Sequence, residues 1–252
     1  MRLLLLMLSG LLLSCSVRAQ GEGYHWAIGN GFGLHFGAAA TTVDSGYQAL
    51  SPHIATISDA SGKLLLYTDG AYAWNGQHEL INSTPMIPIN PEWVLLVPQP
   101  GSSRYYIFSS QTQNGYSQAQ YTVIDMAAQG GKGAVVQPVQ VFSTTIGQDW
   151  TLAAQGFCEG NTYWIVLANP SFVSPGGIAT LKSYRLDAGG LDLNPVTTLL
   201  NVAPFPILHA FGIRFSLKGD KIAFFATGIT TADFDPQTGQ FSHFQQTDAT
   251  SA

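Results

Sequence analysis

Short stretches in which consecutive side chains are all apolar recur along the chain, each introduced by a turn. Leu64-Leu65-Leu66-Tyr67 follows Asp59-Ala60-Ser61-Gly62, and Tyr105-Tyr106-Ile107-Phe108 follows Pro98-Gln99-Pro100-Gly101. Tyr163-Trp164-Ile165-Val166-Leu167 follows Glu159-Gly160-Asn161, and Ile222-Ala223-Phe224-Phe225 follows Leu217-Lys218-Gly219-Asp220. The turn glycines stand at 62, 101, 160 and 219, so they are separated by 39, 59 and 59 residues. Each unit opens on a further strand-like segment, starting at Ile54, Trp93, Leu152 and Ile213. Runs this short, rich in β-branched and aromatic residues and bounded by Gly, Pro and Asp, predict strands; helical periodicity is absent almost everywhere.

A second phrase follows the later runs: a strand ending in Asp. It reads Tyr121-Thr122-Val123-Ile124-Asp125, Ser183-Tyr184-Arg185-Leu186-Asp187 and Thr231-Ala232-Asp233-Phe234-Asp235. A glycine-containing turn comes next, such as Pro236-Gln237-Thr238-Gly239, and then another strand, such as Gln240–Phe244. Repeats of roughly 40–60 residues holding several short strands predict an all-β fold of β-propeller blades. The middle strand of a blade is covered on both faces, which explains a run that is apolar at every position instead of alternating. About four blades are expected, forming an incomplete propeller whose first and last blades each leave one apolar face uncovered.

Composition narrows the setting. Arg2 precedes an apolar run, Leu3 to Leu13, and Val17-Arg18-Ala19 is a small-x-small cleavage site. Residues 1–19 therefore read as a secretory signal peptide, with 20–252 as the propeller region and export across the inner membrane to a secreted or cell-surface location. Leu12-Leu13-Ser14-Cys15 is the competing lipoprotein box, which would leave Cys15 lipidated. No later stretch is long enough for a membrane helix. Loss of Arg2 and Arg18 takes the formal charge from −5 to −7, and no basic patch points to a nucleic-acid partner. Cys158 would be the one remaining cysteine, so no intramolecular disulfide is expected; a small buried hydrophobe is favoured over a reactive thiol.

Candidate chemistry is sparse. Asp59 and Gly62 suit a structural turn, since Asp bonds its own backbone and Gly takes positive φ. A calcium loop lacks its alternating oxygen ligands and distal Glu. The Asp-containing hairpin of sialidase propellers lacks its spacing, because Asp59 directly follows Ser58. The histidines at 25, 35, 53, 78, 209 and 243 show no close pairing and no zinc signature. Gly115-Tyr116-Ser117-Gln118-Ala119 resembles a nucleophile elbow but lies between strands. Asp59, Asp69, Glu92 and Asp149 could supply paired carboxylates, though no spacing places two together. Gly29-Asn30-Gly31-Phe32-Gly33 has no following helix for a phosphate site and reads as a bend in the first outer strands, while Asn82-Ser83-Thr84 is a glycosylation sequon. No catalytic, cofactor-binding or metal-binding residue is assigned.

Several of these motifs together resemble a known group. They are Trp26-Ala27-Ile28-Gly29-Asn30-Gly31-Phe32-Gly33-Leu34-His35-Phe36, the stretch Ala55 to Gly70, Trp74-Asn75, His78, Asn82 and Val97-Pro98-Gln99-Pro100-Gly101. Tyr105–Phe108, Tyr121–Met126, Tyr163-Trp164-Ile165 and Phe215–Lys221 complete the set. The chain is similar to the N-terminal β-propeller region of secreted surface proteins of Bacteroidetes-type bacteria. Those proteins carry PKD-like domains and a gliding-motility-associated, type IX secretion C-terminal sorting domain. The resemblance implies an extracellular or cell-surface propeller with no known catalysis, and it supplies no catalytic residues. Members continue into further blades and domains beyond a phrase like Asp233-Phe234-Asp235, and more often have Asn-Gly where this chain has Asn82-Ser83. The expectation is therefore a fragment of a longer gene product or a shortened relative.

The function expected is a non-enzymatic secreted or cell-surface module that contacts extracellular protein or glycan, as in adhesion, without a cofactor. One alternative is a secreted propeller hydrolase, lactonase-like or glycan-cleaving, which needs acidic or amide side chains converging from several blades on a metal or sugar. Another is a truncated product with no independent function. Fold alone does not decide among these.

Overall fold

A computed structural model describes residues 23–247 apart from 30, 38, 50–52, 87–90, 92, 115, 147–150, 158–160, 170–178, 201–211 and 226–228. The expected signal peptide with its cleavage site, Cys15, Cys158, Glu92, Asp149, His209 and the turn glycine at 160 lie outside the described residues. The described chain is nearly all β, in small antiparallel sheets that follow sequence order. The first sheet holds β1 (His25–Gly29), β2 (Phe32–Phe36) and β3 (Thr41–Ser45); the second holds β4 (Ala55–Ser58), β5 (Leu64–Thr68) and β6 (Ala73–Asn75). The third is β7 (Trp93–Pro98), β8 (Arg104–Gln113), β9 (Tyr116–Asp125) and β10 (Ala134–Ile146), with a single helical turn, α1 (Ala128–Gly131), between the last two. The fourth is β11 (Thr151–Phe157), β12 (Thr162–Asn169) and β13 (Ala179–Asp187), with β14 (Gly190–Leu191) and β15 (Val196–Leu200) both pairing β13. The fifth is β16 (Gly212–Phe215), β17 (Lys221–Phe225), β18 (Ile229–Asp235) and β19 (Gln240–Thr247). First strands of successive sheets lie side by side: β1 with β4, β4 with β7, β7 with β11, and β11 with β16.

The apolar runs at 64–67, 105–108 and 163–167 are continuous because each feeds two cores. In β5, Tyr67 packs with Tyr47 and Trp74 toward the first sheet, while Leu66 packs with Ile107 and Ile124 toward the third. In β8, Ile107 faces the second sheet, and Tyr106 and Phe108 join Ile165, Leu167 and Tyr184 of the fourth. In β12, Ile165 and Leu167 face one way, and Trp164 and Val166 meet Ile213, Ile222 and Phe234 of the fifth sheet. A strand covered on both faces has no position where a polar side chain is free of cost.

The turns explain the recurring aspartates. Asp125, Asp187 and Asp235 end their strands and accept the N–H two residues on, at 3.0 Å (Ala127), 2.8 Å (Gly189) and 2.8 Å (Gln237). Asp59 does the same within the β4–β5 hairpin, accepting from Ser61 at 2.8 Å and from Lys63 at 3.1 Å. Gly62, Gly101 and Gly219 take φ of +87°, +70° and +75°, conformations that a side chain disfavours.

Two expectations are corrected. Among the described residues five sheets stand where four repeats are expected, because β1–β3 form a sheet of their own ahead of the first apolar run. The middle strand of that sheet, Phe32-Gly33-Leu34-His35-Phe36, alternates instead of running apolar, so it lacks the signature used to count repeats. The end sheets also differ from the expected pair of apolar faces. The first sheet does present an apolar outer face. The fifth presents Arg214, Lys221, Thr231 and Asp233 beside the exposed Ile229, because Ala223 sits in register between Arg214 and Thr231, and Lys221 lies opposite Asp233.

Candidate functional site

The first sheet carries distinct chemistry on its two faces, and both follow from strand alternation. Trp26, Leu34 and Val43 are successive cross-strand partners, while His25 pairs with His35 one position away, on the opposite face.

The inner face joins the second sheet through polar and aromatic contacts. His25 and His35 stack with ring centroids 4.3 Å apart and planes within 3°. His25 Nδ1 lies 3.0 Å from Ser58 Oγ, and Nε2 lies 3.8 Å from the Asp44 carboxylate. Thr56 Oγ1 donates to the His25 carbonyl oxygen at 2.6 Å, tying β1 to β4. Gly33 is required at its position: a Cβ there would lie 2.4 Å from the Tyr47 ring and 2.8 Å from the Trp26 carbonyl oxygen. Tyr47 packs edge-on against Tyr67 and His78, and His78 Nδ1 lies 3.2 Å from the Tyr67 hydroxyl. Burial lowers the pKa of His25; His35 lowers it further, and Asp44 opposes the shift. Burial, and then the nearby Asp44 carboxylate, push the Tyr47 phenol up.

A cleft of about 430 Å³ opens beside this joint, lined by His25, His35, Asp44, Ser61, Lys63 and His78 among others. Ser58, His25 and Asp44 stand in the order of a nucleophile, base and acid. However, Ser58 is only 2% exposed, and 3.8 Å is too long for a histidine–carboxylate hydrogen bond. As placed, the three hold the two sheets together. Among the described residues, no group of three or more His, Cys, Asp or Glu is positioned to hold a metal ion.

The outer face is apolar and open. Trp26 is 57% exposed, Ile28 62%, Phe32 57% and Val43 70%. Leu34 lies between Trp26 and Val43, and Phe36 meets Trp26 edge-on at 5.0 Å. Single exposed apolar residues are ordinary, but a contiguous set across three strands marks a contact surface.

Other sequence candidates are occupied in turns. Asp69 is buried and accepts the Ala71 and Tyr72 N–H groups, so Asp59 and Asp69 serve separate turns. Asn82 is also buried: its Oδ1 accepts from Ala73 N–H, and its Nδ2 donates to the Ala71 and Thr84 carbonyls. A glycosylation acceptor needs an accessible side chain, which this one does not offer. In the elbow-like stretch, Gly115 lies outside the described residues and Ser117 is buried in β9. The His25–His35 pair corrects the reading that no histidines approach one another. They are ten residues apart, but a hairpin turning at Gly31 (φ +85°) pairs them across strands. His243 likewise approaches the Asp233 carboxylate at 3.1 Å, beside Lys221 on the fifth sheet.

No family model matches the chain, and no curated protein matches it either. Among solved structures, it is similar to a candidate 6-phosphogluconolactonase from Bacteroides uniformis. That likeness has a TM-score of 0.35 and 12% identity over 86% of this chain and 78% of that one, too loose to carry an argument. Among the described residues, no helix is long and apolar enough to cross a membrane.

Proposed function

We propose that the chain is a non-enzymatic, secreted or cell-surface module whose sheets are successive blades of a propeller-like arc, and that its contact is with protein. The blade reading is supported by sheets in sequence order, first strands side by side and an apolar core between each neighbouring pair. The contact reading is carried by one observation, the open apolar face of Trp26, Ile28, Phe32 and Val43. The type IX secretion and gliding-motility association of the resembled surface proteins agrees with an extracellular setting for such a face.

Carbene footprinting with mass spectrometry tests this reading. The protein in its native extracellular fraction is compared with the purified chain at high dilution. Trp26, Ile28 and Phe32 become protected in the native fraction, while Lys221 and Asp233 label equally in both. Equal labelling of Trp26 in the two samples overturns the reading.

The competing reading is a hydrolase using Ser58, His25 and Asp44, favoured by the 3.0 Å approach of His25 to Ser58. It requires lactone or glycoside hydrolysis that Ser58→Ala abolishes. The burial of Ser58 makes it the second choice.

A further inference from the structure

We propose that the protein partner is a second copy of this chain, with the apolar outer faces of the two first sheets packed against each other about a two-fold axis. This inference rests on the reading of that face as a contact surface and names its occupant. Three observations lead to it.

The first is self-complementarity. An isologous contact places one patch against itself, so the patch must tolerate its own chemistry. Trp26, Leu34 and Val43 form the central row, flanked by Ile28, Phe32 and Phe36. Thr41, opposite Phe36, and Ser45, opposite Phe32, supply a neutral polar rim. Two such faces bury apolar surface on apolar surface and bring no like charges together. The molecule already packs sheets in this way at its internal cores.

The second is the mismatch with the other end of the chain. Head-to-tail association, or closure of one chain on itself, would set this face against the outer face of the fifth sheet. That face holds Arg214, Lys221, Asp233 and His243, with Lys221 and His243 paired to Asp233, beside one exposed apolar side chain, Ile229. Covering those charges with Trp26 and Val43 would strip their water and return no partner. The two ends of the arc are unlike, and each first sheet fits best against another first sheet.

The third is area. With roughly 150–250 Å² available from a fully exposed large side chain, the exposures of Trp26, Ile28, Phe32 and Val43 correspond to about 400–600 Å² per copy. Both copies together reach about 800–1,200 Å², the size of weak, transient contacts, which suits a reversible dimer.

Sedimentation equilibrium of the exported chain between about 1 and 100 µM, which brackets micromolar affinity, tests the inference. The expected result is a monomer–dimer equilibrium in which Val43→Lys raises Kd at least about tenfold and Lys221→Ala leaves it unchanged. Val43 is exposed, so its substitution spares the fold; Val43→Thr, of similar shape, serves as a second variant and weakens the dimer less. A dimer insensitive to both Val43 variants overturns the inference, because its contact lies elsewhere. Open-ended growth that Lys221→Ala alters also overturns it, in favour of head-to-tail assembly. A monomer throughout the range overturns it too. If Trp26 is nevertheless protected in the native fraction, the face docks a different protein and the contact reading survives.

Discussion

The first and fifth sheets are built inside out relative to each other. In the fifth, the face toward the molecule is apolar, with Ile213, Ile222, Ala232, Phe234 and Phe241 packed on Trp164 and Val166, and the face toward solvent is charged. In the first, the face toward the molecule holds the His25–His35 stack and a polar tie to Ser58 and Thr56, and the face toward solvent is apolar. The fifth sheet is organised as an end. The first leaves Trp26, Ile28, Phe32 and Val43 open on its solvent face. Its attachment to the rest of the chain therefore combines these polar ties with the buried ring cluster of Tyr47, Tyr67 and Trp74, against which Ala27 packs.

The largest expected effect comes from breaking the apolar attachment. Phe234 is buried and touches Phe157, Trp164, Phe215 and Phe241. Phe234→Ala should cost about 3–5 kcal/mol through lost transfer energy and an unfilled cavity. Urea denaturation reads the cost, and hydrogen exchange should show β16–β19 losing protection while β1–β3 keep theirs. Uniform loss across all sheets would mean that the sheets melt as one unit and that the contrast between the first and the fifth is not energetic.

The matching change at the other end is an overpacking. Gly33→Ala places a methyl group against the Tyr47 ring and the Trp26 carbonyl, with little room to yield. Forcing the ring aside should cost about 1–3 kcal/mol. The loss should appear first in β1 and β2, because Tyr47 bridges to Tyr67 and Trp74 of the second sheet. Unchanged urea midpoints would show that the first sheet contributes little to global stability and is held more loosely than its contacts suggest.

How much of this could be read from the sequence differed between the same two regions. The interior runs were legible because two-sided burial leaves no polar position, and the aspartate turns were legible because the Asp-to-N–H bond is local in sequence. The first sheet is not legible as a unit in the sequence, since Phe32, Leu34 and Phe36 alternate with Gly33 and His35 and resemble a bend with outer strands. The solvent face of the fifth sheet was misjudged for the opposite reason. Ile222-Ala223-Phe224-Phe225 looks like another two-sided run, but Ala223 is small, and its neighbours across the sheet are Arg214 and Thr231. A run of apolar letters does not separate a small side chain on an open face from a large one in a core. The His25–His35 contact depends on hairpin register, which spacing alone did not reveal.

Acidification should separate the two ends next. The folded pKa of His25 is lowered from its ordinary value of 6.5, mainly by burial, so the fold favours neutral His25. That contribution is complete above about pH 6.5 and is lost as pH falls below it toward the folded pKa. His35, Asp44, Lys63 and His78 line the same cleft, and of these Asp44 opposes the loss. On the fifth sheet, the Asp233 pKa is lowered from 3.8, chiefly by its hydrogen bond from Lys221, so its contribution persists until the pH falls below about 4. Hydrogen exchange between pH 7 and 5 should show β1 and β2 losing protection while β17 and β18 keep theirs, and His25→Asn should flatten the response. Parallel loss at both ends would remove His25 as its source.

The smallest effect is expected where the sequence is most charged. Lys221 and His243 both meet Asp233, yet all three side chains stand well exposed to water on the solvent face of the fifth sheet. Water and salt screen such pairs, and holding a long lysine in place costs side-chain entropy, so an exposed bridge gives little net stability. Lys221→Ala should therefore leave the urea midpoint within measurement error at ordinary ionic strength. Its consequence lies in association instead. The charged face keeps the fifth sheet wet and unattractive to the apolar face of another copy. Replacing Lys221 and Asp233 together by leucine would make the outer faces of the first and fifth sheets alike. Size-exclusion chromatography should then show species larger than a dimer, growing with concentration, where the proposed assembly of the native chain stops at two copies. If the double variant behaves as the native chain does, charge on the fifth sheet plays no part in limiting assembly, and the two ends differ in composition without differing in role.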